Sequence, residues 1–234
     1  KTMLSIVIPC YNEANNIKYL FIKANDVNKR LDNTEFIFVN NGSNDNTLSE
    51  LQLYKSLYID LNIKIVNLLH NIGYGNGILN GILVSSNNII AWTHADLQTD
   101  LEDIIIGYNL YLNENNEYCL VKGNRINRPF FDLFFTKSME FIAFLFTKTF
   151  IKDINAQPKI FSKEFFLQIY NDNLPLDFSF DFYFLYHAKK NGYIKSFNVN
   201  FRTRKFDLSK GGGTFYGKLK LTKRTLTYLF NFSK

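Results

Sequence analysis

The chain has 234 residues, with 27 Lys+Arg against 21 Asp+Glu for a net charge of +6, and 46% of it is apolar. That length suits one globular domain with at most a small appendage, and the apolar content excludes a disordered or purely fibrous chain. No apolar run reaches the roughly 18 uncharged residues of a bilayer span, and no basic-then-apolar leader opens the sequence. The expectation is therefore a cytoplasmic protein, soluble or peripheral on the membrane face. Cys10 and Cys119 lack the spacing of a metal or redox pair and read as buried free thiols.

In chain order, Leu4 to Ile8 reads as a buried strand, Asn12 to Arg30 as a helix and Glu35 to Val39 as a second strand. Asp45 and Thr47 are suited to open the next helix. Ile63 to Leu68 is strand-like, Gly75 to Ser85 helical, and Ile89 to Thr93 a further strand. Strands alternating with helices imply crossover units and a mostly parallel sheet, an α/β fold whose ligands sit beyond the carboxyl ends of the strands. Three polar segments follow such ends: Pro9-Cys10-Tyr11-Asn12-Glu13, Asn40-Asn41-Gly42-Ser43-Asn44-Asp45 and His94-Ala95-Asp96-Leu97-Gln98. They are expected to converge on one cleft. The Phe-rich stretch from Pro129 to Phe150 reads as a core helix or as a helix lying on a membrane surface, packing being the commoner use of aromatic stripes. Phe215 to Phe232 alternates Lys/Arg with Leu, Tyr and Phe at helical spacing, the pattern of a basic amphipathic helix.

The charge is unevenly placed. Residues 183–234 carry 12 Lys/Arg and a single acid, Asp207, for a local +11, whereas the preceding 182 residues sum to −5. This asymmetry points to an anionic partner near the C-terminal fifth. No nucleic-acid motif accompanies it, which leaves phosphate or lipid as the better partner.

His94, Asp96 and Gln98 occupy alternate positions after a strand, so their side chains are able to share one direction. A carboxylate, an imidazole and an amide oxygen suit a divalent cation completed by diphosphate oxygens. Capping of the next helix by Asp96 or Asp100 is the alternative.

IVIPCYNEANNI, FVNNGSNDNT, NIGYGNGILNGI and HADLQTD, in that order and spacing, resemble the nucleotide-sugar domain of family 2 glycosyltransferases, the GT-A fold. The pattern is most similar to that of polyprenyl-phosphate sugar transferases and their bacterial relatives. The likeness continues through VKGNR at 121–125, the segment from Asp153 to Phe161, the FSFD run ending at Asp181, and Arg204 to Lys210. It implies one GT-A catalytic domain over 1–213, with a nucleotide-sugar half at 1–125 and an acceptor half at 126–213, followed by the basic helix at 214–234.

The resemblance further implies that Pro9, Tyr11 and Glu13 shape the nucleotide pocket. Asn40 and Asn41 stand where the family has acids, so two amides replace two carboxylates; an amide accepts a hydrogen bond and also donates one. Gly73 and Gly75 would let the backbone pass close to the nucleotide, or simply form a helix-entry turn. The family's Asp-x-Asp appears as His94-Ala95-Asp96, which makes Asp96 the first candidate ligand for Mg2+ or Mn2+, then Gln98, with His94 either a ligand or a hydrogen-bond donor to phosphate or sugar. Metal-independent action is the alternative.

The implied reaction is inverting transfer of a sugar from a nucleoside-diphosphate sugar, UDP-sugar by default, to a saccharide or lipid-linked saccharide in envelope polysaccharide synthesis. A hydroxyl acceptor requires a carboxylate base, for which Asp181 is the first choice and Asp153 the second. A lipid-phosphate acceptor, the polyprenyl-phosphate alternative, would instead depend on Arg residues. Arg125, Arg128, Arg202 and Arg204 are the candidates, and Ser209 and Lys210 begin a Gly-rich segment suited to close over the diphosphate, or else a plain linker. A homologue that binds nucleotide sugar without catalysis is the remaining reading.

Overall fold

The computed structural model describes residues 4–114, 116–127, 130–202, 223 and 227–230. Its elements are β1 (Leu4–Cys10), α1 (Ala14–Arg30), β2 (Glu35–Asn41), α2 (Thr47–Leu57), β3 (Asn62–Leu68), α3 (Tyr74–Leu83), β4 (Ile89–Trp92), α4 (Asp103–Leu112), β5 (Cys119–Ile126), α5 (Phe130–Thr147), β6 (Lys159–Ser162), α6 (Lys163–Ile169), α7 (Ser179–Asn191) and β7 (Tyr193–Asn200). The strands make one sheet in the order β3-β2-β1-β4-β6-β5-β7. β6 runs antiparallel to β4 and β5, and every other pairing is parallel. The α/β, mostly parallel architecture expected from the alternation is present; the antiparallel insertion of β6 was not legible.

Why the strands are nearly continuous in apolar residues follows from coverage on both faces. Ile6, Ile8, Phe36 and Phe38 enter a layer with Phe21, Leu51 and Ile104. Their neighbours Val7, Ile37, Val39 and Trp92 enter the opposite layer with Ile78, Phe161, Phe180 and Phe184. α1 buries Ile17, Leu20, Phe21, Ala24 and Val27, a helical stripe. It begins at Ala14 and not at Asn12, because Asn12 has φ 53° and its Oδ1 accepts from the Asn44 amide at 2.7 Å. The loop after β1 is thereby tied to the loop after β2.

α5 divides its faces. Glu140 and Ala143 are buried, and Ile142 and Phe146 pack on the core, while Phe141, Phe144 and Leu145 are exposed. Of the basic C-terminal helix expected at 214–234, Lys223 and residues 227–230 are helical and the remainder lies outside the described residues. No helix among the described residues is long and apolar enough to cross a membrane.

Strand order reverses between β1 and β4, so the crevice beyond their carboxyl ends is where such a sheet takes a ligand. α3 lies close over this point: a Cβ on Gly81 would come within 2.3 Å of Val7 Cγ1. Gly81→Ala is therefore expected to lose about 1–2 kcal/mol net, overpacking against a stiff β-branched neighbour outweighing the gain of about 1 kcal/mol in helix propensity. A lowered urea midpoint at unchanged slope would register it.

Candidate active site

The loops after β1 and β2 are built from amides and hydroxyls that hold one another. Glu13 is buried; its backbone N–H donates to Thr47 Oγ1 at 2.8 Å and its carboxylate accepts from Asn16 Nδ2 at 2.5 Å. Asn40 Nδ2 donates to Asn67 Oδ1 at 2.7 Å, and Asn40 Oδ1 accepts the Ser43 amide at 3.3 Å. Asn41 Nδ2 donates to the Gly73 carbonyl at 3.0 Å, whereas its Oδ1, also buried, accepts no hydrogen bond among the described residues. Both amides thus use a donor that a carboxylate would lack. Pro9 and Asn41 crowd Gly77, whose Cβ would lie 3.2 Å from Pro9 Cβ and 3.0 Å from Asn41 Cγ. Tyr11 is half-buried at the end of β1.

Gly73 and Gly75 serve a packing need. With φ at +152°, Gly73 presents its α-carbon to Leu176, where a Cβ would meet the carbonyl oxygen at 2.1 Å; at Gly75 it would meet Phe180 Cβ at 2.8 Å. The Asn76 amide then donates to Leu176 O at 2.9 Å. The start of α3 is clamped on the segment that leads into α7.

Beyond β4, Tyr74 is stacked between two rings: His94 at 5.2 Å and Phe178 at 5.0 Å, centroid to centroid. Burial pushes the His94 imidazole below its ordinary value, against the pull of Asp96 and Asp181. His94 is accordingly neutral at pH 7, the form that ligates a metal. Asp96 is 7% exposed, and its Oδ1 accepts the Gln98 amide at 3.1 Å. The Gln98 side chain turns outward, Nε2 donating to Arg202 O at 3.1 Å. Arg202 is exposed and lies 3.5 Å from Asp100 Oδ2.

Under these loops runs a chain of buried polar groups. Lys159, with no exposed surface, donates to Asp181 Oδ1 and to Ala156 O, and its ammonium lies 5.4 Å from the Trp92 ring centroid. Burial lowers the Lys159 pKa, and Asp181 opposes that fall. Gln157 Nε2 donates to Asp181 Oδ1 at 3.0 Å and to Tyr74 Oη at 3.1 Å, so Asp181 is joined to the ring stack. Asp181 Oδ2, buried, has no hydrogen-bond partner among the described residues. Asp153 differs. Arg125 clasps it through Nε at 3.0 Å, Nη2 and its own backbone N–H at 2.9 Å, and stacks at 5.1 Å on Phe201. Burial would raise the Asp153 pKa, but the hydrogen bonds and charge of Arg125 prevail and hold it at about 2. Nearby Lys122 donates to Gly123 O at 2.8 Å, and burial brings its pKa down to about 7.

Asp96, His94 and Asp181 thus approach Tyr74, while Arg125 and Asp153 neutralise each other. Arg128, Arg204, Ser209 and Lys210 lie outside the described residues. Lys159, Gln157 and Tyr74 were not singled out in the sequence. One signal existed for Lys159, a lysine opening the apolar strand Ile160-Phe161. Nothing marked Gln157 and Tyr74, whose partners are distant in the chain.

The profile of Glycosyl transferase family 2 matches residues 5–174. The chain belongs to that family. An uncharacterized glycosyltransferase of Synechocystis sp. is 43% identical over 97 residues, covering 41% of this chain and 30% of the relative. Dolichyl-phosphate beta-glucosyltransferase of Dictyostelium discoideum is 27% identical over 205 residues, 80% of this chain and 62% of its own length. The chain spans 30% to 63% of the length of the curated relatives it matches. The glucosyl-3-phosphoglycerate synthase of Mycobacterium tuberculosis, crystallised with Mn2+, UDP and glucosyl-3-phosphoglycerate, superposes with a TM-score of 0.72 at 14% identity over 99% of this chain and 79% of that one. A mannosyltransferase of Pyrobaculum calidifontis, in complex with GDP-mannose and Mn2+, gives 0.63 at 15% identity over 87% and 57%. At those identities the likeness is one of fold, and the fold is GT-A.

Do the residues present suit a divalent cation? No group of three His, Cys, Asp or Glu side chains capable of holding a metal occurs among the described residues. A cation carried by a diphosphate requires less, one or two carboxylates with phosphate oxygens completing the shell. Asp96 with the neutral His94 meets that requirement.

The Arg125 clasp has a pH signature. The Asp153 pKa in the fold, about 2, lies below its ordinary 3.8, so its contribution is complete above about pH 4 and is lost as pH falls towards 2. The loss is expected to be roughly 2 kcal/mol. Urea midpoints across that range would show it in the parent and a flatter curve in Asp153→Asn. Arg125→Met, which strands the carboxylate, should cost about 3–5 kcal/mol at neutral pH.

Proposed function

We propose that the chain transfers a sugar, with inversion, from a nucleoside-diphosphate sugar to a saccharide or lipid-linked saccharide hydroxyl. The supporting observation is Asp181: a buried carboxylate with Oδ1 engaged by Lys159 and Gln157, and Oδ2 unpartnered among the described residues, next to the Tyr74–His94 stack that Asp96 also approaches. Asp181 Oδ2 takes the proton of the attacking hydroxyl as the new bond forms. Asp153 is removed from that role, since a carboxylate held at about 2 by a bidentate guanidinium is a poor base. It positions Arg125 instead.

On the donor side, the unpaired Asn41 Oδ1 is an acceptor for a ring N–H such as that of uracil, which cytosine lacks; UDP is the proposed donor nucleotide, and Tyr11, Pro9, Glu13 and Asn40 shape the same pocket. Asp96, with His94 and then Gln98, would hold Mg2+ or Mn2+. When bound, that ion neutralises charge on the departing diphosphate. Lys210 and Ser209 are proposed for the diphosphate, and Arg128, Arg202 and Arg204 for the acceptor. The proposed catalytic domain, 1–213, divides at 125/126, the end of β5. Work in envelope polysaccharide synthesis on the cytoplasmic membrane face, with the basic segment 214–234 at the lipid surface, fits the +11 charge of residues 183–234.

A second reading has one support of its own, the 80% coverage of this chain by a dolichyl-phosphate beta-glucosyltransferase. There the acceptor is a polyprenyl phosphate, already anionic and in no need of a base. Asp181→Asn separates the two. Transfer to a hydroxyl acceptor should fall by about 10²-fold or more, with nucleotide affinity unchanged, whereas transfer to a phosphate acceptor should be largely spared. The assay is a panel of UDP-, GDP-, CMP- and dTDP-sugars with and without Mn2+. Asp96→Ala should abolish the metal-dependent part of binding. Failure to bind any nucleotide sugar would remove both readings, and binding without turnover would indicate a non-catalytic homologue.

A further inference from the structure

The outer face of α5 bears Phe134, Phe141, Phe144 and Leu145 in the exposed state, and Phe150 follows just beyond the helix. Phe134, Phe141 and Leu145 stand at i, i+7 and i+11, one stripe along the cylinder, and Phe144 is its neighbour. Phe141 is 60% exposed and Phe150 52%, values opposite to those expected for the largest apolar side chains. The inner face, with Ala143, Ile142 and Phe146, is already packed on the sheet layer. So the outward phenyls are surplus to the core.

The exposed charged side chains on and just beyond this face, among the described residues, are lysines. Lys137 lies within the stripe, between Phe134 and Phe141, Lys148 directly follows the helix, and Lys152 is exposed just after it. Lys137 is paired with Glu140, which is itself buried, and Lys148 and Lys152 make no ion pair among the described residues. No exposed acid occurs among the described residues of α5. A second copy of this chain would meet that face poorly: the unpaired Lys148 and Lys152 of each copy would be drawn into an apolar contact with no counter-charge for them among the described residues. A plane of anionic lipid accepts every one of these groups, phenyls entering the acyl boundary and lysines reaching back to headgroups. Leu229, in the short helical turn at 227–230, is buried in the same layer as Ala143, and its neighbour Phe230 is exposed in turn.

We propose that the outer face of α5 is a membrane-docking surface, which seats the protein on an anionic bilayer through Phe141, Phe144, Leu145 and Phe150. It is distinct from the basic segment at 214–234, and it is independent of which sugar or acceptor the site takes. The outer face of α5 would then lie against lipid while its inner face stays packed on the core.

The test is co-sedimentation of the full chain with phosphatidylcholine vesicles, with and without phosphatidylglycerol. The chain should bind the anionic vesicles, and more weakly as salt is raised. Phe141→Ser/Phe144→Ser/Leu145→Ser should reduce partitioning by about tenfold or more with an unchanged circular dichroism spectrum. Lys148→Ala should reduce it about fivefold, one cation's contribution at an anionic surface. Should the triple variant misfold, an environment-sensitive dye on Phe141→Cys should shift to the blue on vesicle addition, while the same dye on Leu57→Cys, at the exposed end of α2, should not. Absence of vesicle binding, binding unaltered by the triple variant, or equal shifts at the two dye positions would overturn the proposal. So would a dimer that the triple variant abolishes while neither form binds lipid.

Discussion

A lysine with no exposed surface must find a counter-charge inside the protein, and Lys159 finds it in Asp181. The pair joins β6 to α7 across the layer that holds Trp92, Phe161, Phe180 and Phe184. Around it, edge-to-face contacts of Trp92 with Phe161 and Phe184 pack the layer. The result is a carboxylate whose position is set by three groups: an ammonium, the Gln157 amide and, through that amide, the Tyr74 hydroxyl. Without Lys159 the acid would be buried alone, and the polar chain to the His94 ring would lose its anchor.

This arrangement depends on β6 running antiparallel between β4 and β5. A parallel strand there would place its leading loop at the opposite end of the sheet. Reversed, it delivers Asp153, Gln157 and Lys159 to the edge where β4 delivers His94 and Asp96. The two acids then diverge. Arg125, from the neighbouring β5, takes Asp153 completely, while Asp181 keeps one oxygen unengaged among the described residues. The two carboxylates differ in how many donors each meets.

The loops on the other side show the same economy with amides. Asn40 and Asn41 each donate through nitrogen, to Asn67 and to the Gly73 carbonyl, bonds closed to a carboxylate. In this chain the two amides are integrated into the loop framework, and they leave one buried carbonyl oxygen, Asn41 Oδ1, without a hydrogen-bond partner among the described residues. A net charge of +6 conceals opposite local conditions: −5 over the first 182 residues and +11 over residues 183–234.

Much of the fold was readable in advance, because continuous apolar strands and a helix with an i, i+3, i+4 stripe are local patterns. β1 to β4 and α1 to α3 fall within a few residues of their expected spans for that reason. The shift of α1 to Ala14 was unreadable, since it arises from a bond between Asn12 and Asn44 in separate loops. In the candidate site, residue types beyond a strand end pointed to His94 and Asp96, and the family resemblance to Asp153 and Asp181. Their roles were not legible, because protonation and basicity depend on burial and on partners brought from 22 or 28 residues away. By itself the sequence determined the α/β class, the carboxyl-edge location and the family, all of which reside in short-range pattern and ordered motifs. Only the tertiary structure decided the reversal of β6, the pairing of Asp153 with Arg125 and of Asp181 with Lys159, and the outward face of α5, since each is a matter of which distant groups meet and which surface is left over.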